Sequence, residues 1–456
     1  MSPSPQSFDL IAVGTGPATG GIPAKAVKAG MRVAVVEDRP VGGTCALRGC
    51  TPKKLLLAAP EAYDYARRMN QHGLEAPNLK LDWAQMRRYK DAFIDKIPPI
   101  NSRQYTDKGI TLLRGHGRFV GPNTLEVEGN RYSAQHIVLG TGALPAPLHF
   151  PGAEHVRLSD DFFLLPELKG HIVFIGAGYI SMEFAHIAAR VGAKVTVLHR
   201  SDTPLRGFDR DLVERLLVVS RHQGINVVKN TEVRRLEKLA SGGYRVETTN
   251  PDLEPFEADL VMHGAGRNPN VLDLGLEAAG VEFTAERGIR VGPNLQAVGN
   301  PHVWAVGDCA DNGAPALTSV AAIDSLVVAD HLFGSKTLTP DYRGTPAVAF
   351  TIPQLTAVGM TEAEAKTQGL DYAVTFKDAT PNFMNYRVNG DALMVKVLFD
   401  KKTDLILGAH ALDYEASEWI NVFAMAIRFN ITATQIKHML FTYPSHGASI
   451  RGLMSY

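Results

Sequence analysis

The sequence predicts an α/β protein with two Rossmann-like dinucleotide-binding domains and a C-terminal α+β domain. Three observations carry this reading. An apolar strand over residues 8–13 runs into a glycine-rich turn, Gly14-Thr15-Gly16-Pro17-Ala18-Thr19-Gly20. The same arrangement recurs over residues 171–181, an internal repeat that two bound nucleotides explain most simply. From residue 345 onward the pattern changes to short strands, with a helix-forming run at Ala416–Phe429.

Bulk properties set the limits. A chain of 456 residues is too long for one core and suggests about three domains. Its formal net charge is zero, so neither nucleic acid nor an anionic membrane is expected as a partner. No signal peptide is read at the start, and no window is apolar enough to span a bilayer. The three cysteines, Cys45, Cys50 and Cys309, are too few for a disulfide scaffold. They fit a cytoplasmic protein with one catalytic pair. No resident metal is expected.

Taken in order, the first unit is a strand over 8–13, a helical segment to about residue 28, and a strand over 31–36 that ends in Glu37. Gly14 and Gly16, followed by Pro17 and Ala18, let the backbone approach a pyrophosphate at a helix N-terminus. Glu37, with Asp38 beside it, has the spacing of an acceptor for ribose hydroxyls. Thr19 stands at the third glycine position, a departure, and Pro23 is tolerated in a first helical turn.

Next comes Gly42-Gly43-Thr44-Cys45-Ala46-Leu47-Arg48-Gly49-Cys50-Thr51-Pro52-Lys53-Lys54. Two thiols at this spacing close a small ring if the backbone curls into a helical turn. Pro52 marks a helix start, which places Cys50 at or near the N-cap, where the dipole favours a thiolate. Lys53 and Lys54 add positive charge. This is the pattern of a redox-cycling dithiol.

That segment resembles the redox-active stretch of the flavoprotein disulfide reductases, the class I family that includes glutathione reductase, dihydrolipoamide dehydrogenase and mercuric reductase. The resemblance runs over nearly the whole chain. It implies FAD, a nicotinamide nucleotide and a homodimer. It divides the chain into residues 1–149 (first part of the FAD domain, with the dithiol), 150–268 (NAD(P)H domain), 269–340 (return of the FAD domain) and 341–456 (dimerisation domain). It assigns to FAD the residues Gly14, Gly16, Pro17, Ala18, Glu37, Asp38, Gly43, Thr44, Lys53, Lys54, Thr141, Gly142, Asp308, Ala316, Leu317 and Thr318.

Residues 55–100 read as two helices. Residues 110–138 alternate apolar and polar positions between turn signals and read as a small antiparallel meander. In the second unit the turn is Gly176-Ala177-Gly178-Tyr179-Ile180, and a strand over 195–198 ends in His199-Arg200, with Arg206 beyond. An NAD site calls for a carboxylate at that strand end, whereas two guanidiniums suit a 2′-phosphate. Arg200 and Arg206 match the pair that holds the NADPH phosphate in the family, so NADPH is expected over NADH. The resemblance adds Gly176, Gly178, Tyr179, Ile180, Glu183, His199, Gly266 and Arg267 to that site. Residues 303–310 form a strand ending in Gly307-Asp308, where the resemblance places Asp308 on the ribityl chain. Cys309 reads as a small buried residue.

The implied relay runs from NADPH through FAD to the Cys45–Cys50 pair and on to a disulfide. Cys50 lies next to the flavin and Cys45 is the interchange thiol. Glu183 is expected to pair with Lys53, with Lys54 the other candidate. The family usually ends in His-Pro-Thr-x-x-Glu, whose His and Glu form the acid–base dyad. This chain reads Tyr443-Pro444-Ser445-His446-Gly447-Ala448. The dyad is absent, and Tyr443 and His446 are the candidates left. Three readings stay open: a disulfide substrate, another acceptor such as mercuric ion, a quinone or a thioether, and a slow-turnover redox sensor.

Overall fold

The computed structural model describes residues 5–454. The chain divides into two compact units.

The first unit comprises the chain up to Leu55, Arg88–Ala146 and Arg267–Tyr342. Its sheet runs in the order Thr111–Arg114, Val33–Glu37, Gln6–Val13, Asn130–Leu139, Thr124–Val127, Arg118–Gly121, and Val303–Ala305 also pairs with Asn130–Leu139. The first four strands and Val303–Ala305 are parallel, with Leu10 opposite Val33 and Ile11 opposite Ile137. A parallel sheet covered on both faces needs near-continuous apolar strands. Val33–Glu37 is buried at all five positions. The antiparallel meander is present over residues 118–139. Thr111–Arg114 departs from the expectation: it pairs parallel with Val33–Glu37 as an edge strand. Side-chain alternation is the same in both pairings, so it does not encode direction.

The expected pair of helices over 55–100 is three: Cys50–Arg68, Trp83–Ile94 and Ile97–Thr106. Pro98 and Pro99 lie in the first turn of the third, where a missing N–H costs no hydrogen bond and the fixed φ starts a new helix.

The second unit comprises Leu56–Arg87, Pro147–Gly266 and Arg343 onward. Its parallel sheet has the order Ile225–Val228, Lys194–Leu198, His171–Ile175, Leu260–His263. Beyond it lies an antiparallel sheet of five strands, Pro346–Ala349, Gln354–Gly359, Ile406–Asp413, Met394–Asp400 and Tyr372–Asp378. The predicted helix Ala416–Phe429 packs on this sheet through Trp419, Ile420, Phe423 and Ala426. Two buried ion clusters tie the unit together. Asp64 accepts from Arg68 Nε at 2.9 Å and from Arg190 Nη2 at 2.7 Å. Lys396 donates to Asp209 at 3.0 Å and Glu362 at 3.1 Å, and also to Asp211. Charges this deep persist only when paired. Among the described residues, no helix is long and apolar enough to cross a membrane.

Candidate active site

In the first unit, the turn after Gln6–Val13 is built for close backbone approach. Gly14 has φ +96°, and a Cβ there would meet the Gly140 carbonyl oxygen at 2.5 Å. Gly43 has φ +71°, and its Cβ would stand 2.4 Å from the Gly16 Cα. Only glycine fits either place. The Glu37 carboxylate shapes the turn. It accepts the Thr15 N–H at 3.0 Å, the Thr15 hydroxyl, and the Arg39 N–H at 3.0 Å. The Thr15 hydroxyl in turn accepts the Gly42 N–H at 2.9 Å, which links the turn to the dithiol segment. Burial raises the Glu37 pKa. Thr19, the departure from the glycine pattern, donates its hydroxyl to the Gly14 carbonyl at 2.7 Å and so braces the turn it interrupts. Asp38 is exposed beside His116. Pro17 and Ala18 follow in the turn, and Ala18 is buried.

A recess is lined by Gly307, Asp308, Ala316 and Val320 together with Arg287 and the 310–315 segment. Burial raises the Asp308 pKa, while the charge of Arg267 opposes the rise. Arg267, expected at the nicotinamide-nucleotide site, lies within the first unit in the strand Arg267–Pro269, paired antiparallel with Ala143–Pro145, and donates to the Ala143 carbonyl. Gly266, one residue earlier, is the last residue of the second unit's middle segment. The Thr141 hydroxyl donates to the Asn270 carbonyl at 2.7 Å, and Gly142 follows with φ +71°. Close-packed glycines, a ribose-type carboxylate and an acidic recess fit a dinucleotide with a polyhydroxyl chain.

Cys45 lies in the short helix Gly43–Arg48, and the helix Cys50–Arg68 begins at Cys50. Pro52 is thus the third residue of that helix rather than its first. Thr44 and Lys54 are exposed and Lys53 is buried. Cys45 is half-buried and Cys50 exposed. The hydrogen bond with Cys50, and then burial, hold the Cys45 pKa far above the usual thiol range, against the pull of the Thr318 hydroxyl. Thr318 Oγ1 lies 3.6 Å from Cys50 Sγ. It is the first residue of the helix Thr318–Phe333, with Leu317 at the N-cap, so the positive end of that helix lies beside both sulfurs. Cys309 is fully buried, and its thiol donates to the Leu139 and Val306 carbonyls.

In the second unit, Gly176 has φ +91° and would meet the Gly264 carbonyl with any side chain. Gly178 is the N-cap of the helix Tyr179–Val191, where Tyr179 is exposed and Ile180 half-buried. Glu183, on that helix, is buried, and its Oε1 accepts the Phe350 N–H at 2.8 Å. His199 is a brace: Nδ1 accepts the Ala177 N–H at 3.2 Å, and Nε2 lies 3.0 Å from the Thr203 carbonyl. Burial and then the nearby arginines lower its pKa. Arg200 and Arg206 are both exposed, and Arg206 reaches the Ser201 hydroxyl at 3.4 Å. A carboxylate does occur close by, which the strand-end reading missed. Asp202 is occupied by Arg210 at 3.2 Å and by the Thr203 hydroxyl.

At the C-terminus, Tyr443 is 84% exposed. His446 starts the helix His446–Leu453 and pairs through Nδ1 with the buried Asp413 at 2.8 Å. Asp413 also accepts the Trp419 indole N–H at 2.7 Å. The other imidazole nitrogen, Nε2, is enclosed and has no partner among the described residues. A ring held this way anchors its helix to the sheet through Asp413. Asp413 gave no signal in the sequence, because it lies 33 residues upstream on a different element.

Residues 8–324 match the family described as pyridine nucleotide-disulphide oxidoreductase, and residues 345–453 match its dimerisation domain. The chain is 32% identical to a glutathione reductase of Burkholderia cepacia, covering 96% of each. It is 30% identical to a mercuric reductase of Lysinibacillus sphaericus, covering 96% of this chain and 80% of that one. Among solved structures it is similar to a Cu(II) complex of RclA, an HOCl-induced flavoprotein disulfide reductase of Escherichia coli. There the TM-score is 0.88 at 26% identity, covering 98% of this chain and 99% of that one.

Proposed function

Because the chain belongs to the pyridine nucleotide-disulphide oxidoreductase family, we propose that this flavoprotein oxidoreductase uses NADPH to reduce a disulfide through Cys45 and Cys50. The observation that carries the reading is the placement of both thiols beside Thr318, at the start of a 16-residue helix, within the unit that holds the glycine turn and Asp308. FAD, when bound, supplies the two-electron carrier between nicotinamide and dithiol.

The chain's own residues do the rest. Gly14, Gly16 and Gly43 admit the pyrophosphate, Glu37 takes the ribose and Asp308 the ribityl chain. Arg200 and Arg206 grip the 2′-phosphate, and Lys53 and Glu183 keep the charged roles the resemblance gives them. Cys45 attacks one sulfur of the substrate R–S–S–R and releases R–S⁻, which takes up a proton. Cys50 then attacks the mixed disulfide, frees the second thiol and restores the Cys45–Cys50 disulfide. The balance is NADPH, one proton and R–S–S–R giving NADP⁺ and two thiols. The active protein is a homodimer, in keeping with the dimerisation domain.

A second reading, a metal-ion acceptor, is favoured by Tyr443 and Ala448 at the positions of the usual His–Glu dyad. The mercuric reductase relatives and the Cu(II) complex of RclA support it. Anaerobic titration with NADPH, followed by glutathione disulfide, lipoamide, Hg²⁺ and Cu²⁺ in turn, separates the two. Reoxidation by a disulfide supports the first reading, reoxidation by metal ions alone supports the second, and no reoxidation overturns both.

A further inference from the structure

Asp324 lies on the helix Thr318–Phe333 and is fully buried, yet none of the residues assigned above uses it. Its Oδ2 accepts the Gly307 N–H at 2.8 Å and the Asn312 side-chain amide at 2.8 Å. Its Oδ1 accepts the Tyr342 hydroxyl at 2.5 Å. All three partners are neutral donors. Burying a carboxylate without a cation is costly, and what offsets that cost here is that it satisfies three donors at once.

The two Oδ2 bonds show what the charge accomplishes. Gly307 immediately precedes Asp308, and Asn312 stands at the far end of the same short segment. The Asn312 Oδ1 passes the link on by accepting the Ala314 N–H at 3.0 Å. One carboxylate thereby clamps both ends of the segment that lines the recess around Asp308. Gly307 has little room to move otherwise. Its φ is +69°, and a Cβ there would meet the Ala18 Cβ at 3.0 Å and the Ala321 Cβ at 3.3 Å. The same helix carries Thr318 to Cys50. Asp324 therefore sits between the loop presenting Asp308 and the helix end beside the dithiol.

We propose that Asp324 is a positioning residue for the flavin, fixing the 307–312 loop so that Asp308 and the adjoining backbone meet the ribityl–phosphate portion of FAD. This rests on the FAD assignment. The test is titration of apoprotein with FAD, read by quenching of flavin fluorescence and by the visible absorbance of the bound flavin, for the wild type and for Asp324→Leu, Asp324→Asn and Asn312→Ala. Asp324→Leu is expected to weaken FAD at least tenfold and to shift the bound-flavin band. Asn312→Ala should weaken it by a smaller factor. Asp324→Asn should recover much of the loss, because its amide oxygen still accepts the Gly307 N–H. Binding within twofold of wild type in both Asp324→Leu and Asn312→Ala overturns the proposal, as does a drop in apoprotein melting temperature with FAD affinity and spectrum unchanged. If Asp324→Leu does not fold, Asn312→Ala and Tyr342→Phe, each removing one bond, decide by the same criteria. Failure of the wild type itself to bind FAD would sink the FAD assignment instead.

Discussion

Cys45 shows why single residues matter here. Its pKa is raised first by the hydrogen bond with Cys50 and then by burial, so at neutral pH it holds its proton. The thiolate is the nucleophile, and its fraction grows about tenfold per pH unit below the pKa. Disulfide turnover is therefore expected to climb steadily between pH 7 and 9; a flat profile in a stopped assay would mean that another group sets the rate. Cys45→Ser should abolish disulfide turnover while leaving a long-wavelength absorbance from Cys50 against the oxidised flavin, and absence of that band would reverse the roles of the two thiols. The nucleotide choice also rests on residues. Arg200→Glu combined with Arg206→Ala should weaken NADPH by about 10- to 100-fold, as expected for losing two charge-assisted bonds, and NADH far less. Equal loss for both nucleotides in a binding titration would remove the 2′-phosphate assignment. These residues stood out in the sequence because each is marked by a local spacing. His446 was only half legible: the residue was visible, but its partner Asp413 is brought to it by tertiary folding alone.

At the scale of elements, the glycine turn, both parallel strand pairs and the Ala416–Phe429 helix could be read from the sequence because they follow periodicity and punctuation. What could not be read depends on direction and partnership. Thr111–Arg114 looks like a hairpin strand but joins a parallel sheet. The strand Arg267–Pro269 gave no signal of its antiparallel partner Ala143–Pro145, a pairing set within the first unit by tertiary folding. The close contact of Gly43 with Gly16 joins the dithiol segment to the nucleotide turn and yields a sharp expectation. Gly43→Ala forces a side chain into a positive-φ site and against backbone. Such strain costs on the order of 2–3 kcal/mol. The variant should unfold at lower denaturant and release its flavin, and wild-type flavin retention on gel filtration would show that the turn relaxes freely. The C-terminal helix has its own signature. Burial works against a charged His446, but the hydrogen bond and charge of Asp413 raise its pKa above the ordinary value. The pair's contribution is present below the ordinary imidazole pKa of about 6.5 and fades as pH rises through the raised value. His446→Gln should lower stability by about 1–3 kcal/mol at pH 6 and by less at pH 8.5. A pH-independent loss in denaturation midpoints would sink the ion-pair account.

At the scale of the whole molecule, the question is what completes a site whose acid–base dyad is missing from its usual place. The matched dimerisation domain carries an apolar face that its own unit does not cover. On the helix Ala416–Phe429, Trp419, Ile420, Phe423 and Ala426 face the sheet, while Met425 and Phe429, one turn apart, are 57% and 68% exposed. Leu440 and Tyr443, further on in the same domain, are exposed as well. A homodimer would remove this surface from water, at about 25 cal/mol per Å² of apolar area buried. Replacing Met425 and Phe429 together by glutamate puts two charges into that contact. It should shift the chain toward monomer in sedimentation at micromolar concentration. The fold should survive, because neither side chain packs against its own core. Such a monomer separates the two halves of the chemistry. Flavin binding and NADPH oxidation by the first equivalent of electrons depend on residues of one chain and should persist. Transfer to a disulfide should fall with the dimer if Tyr443 acts across the interface. If monomers turn over a disulfide as fast as the parent protein, each chain holds a complete site, and the group that activates Cys45 must be sought within its own unit, with Thr318 first.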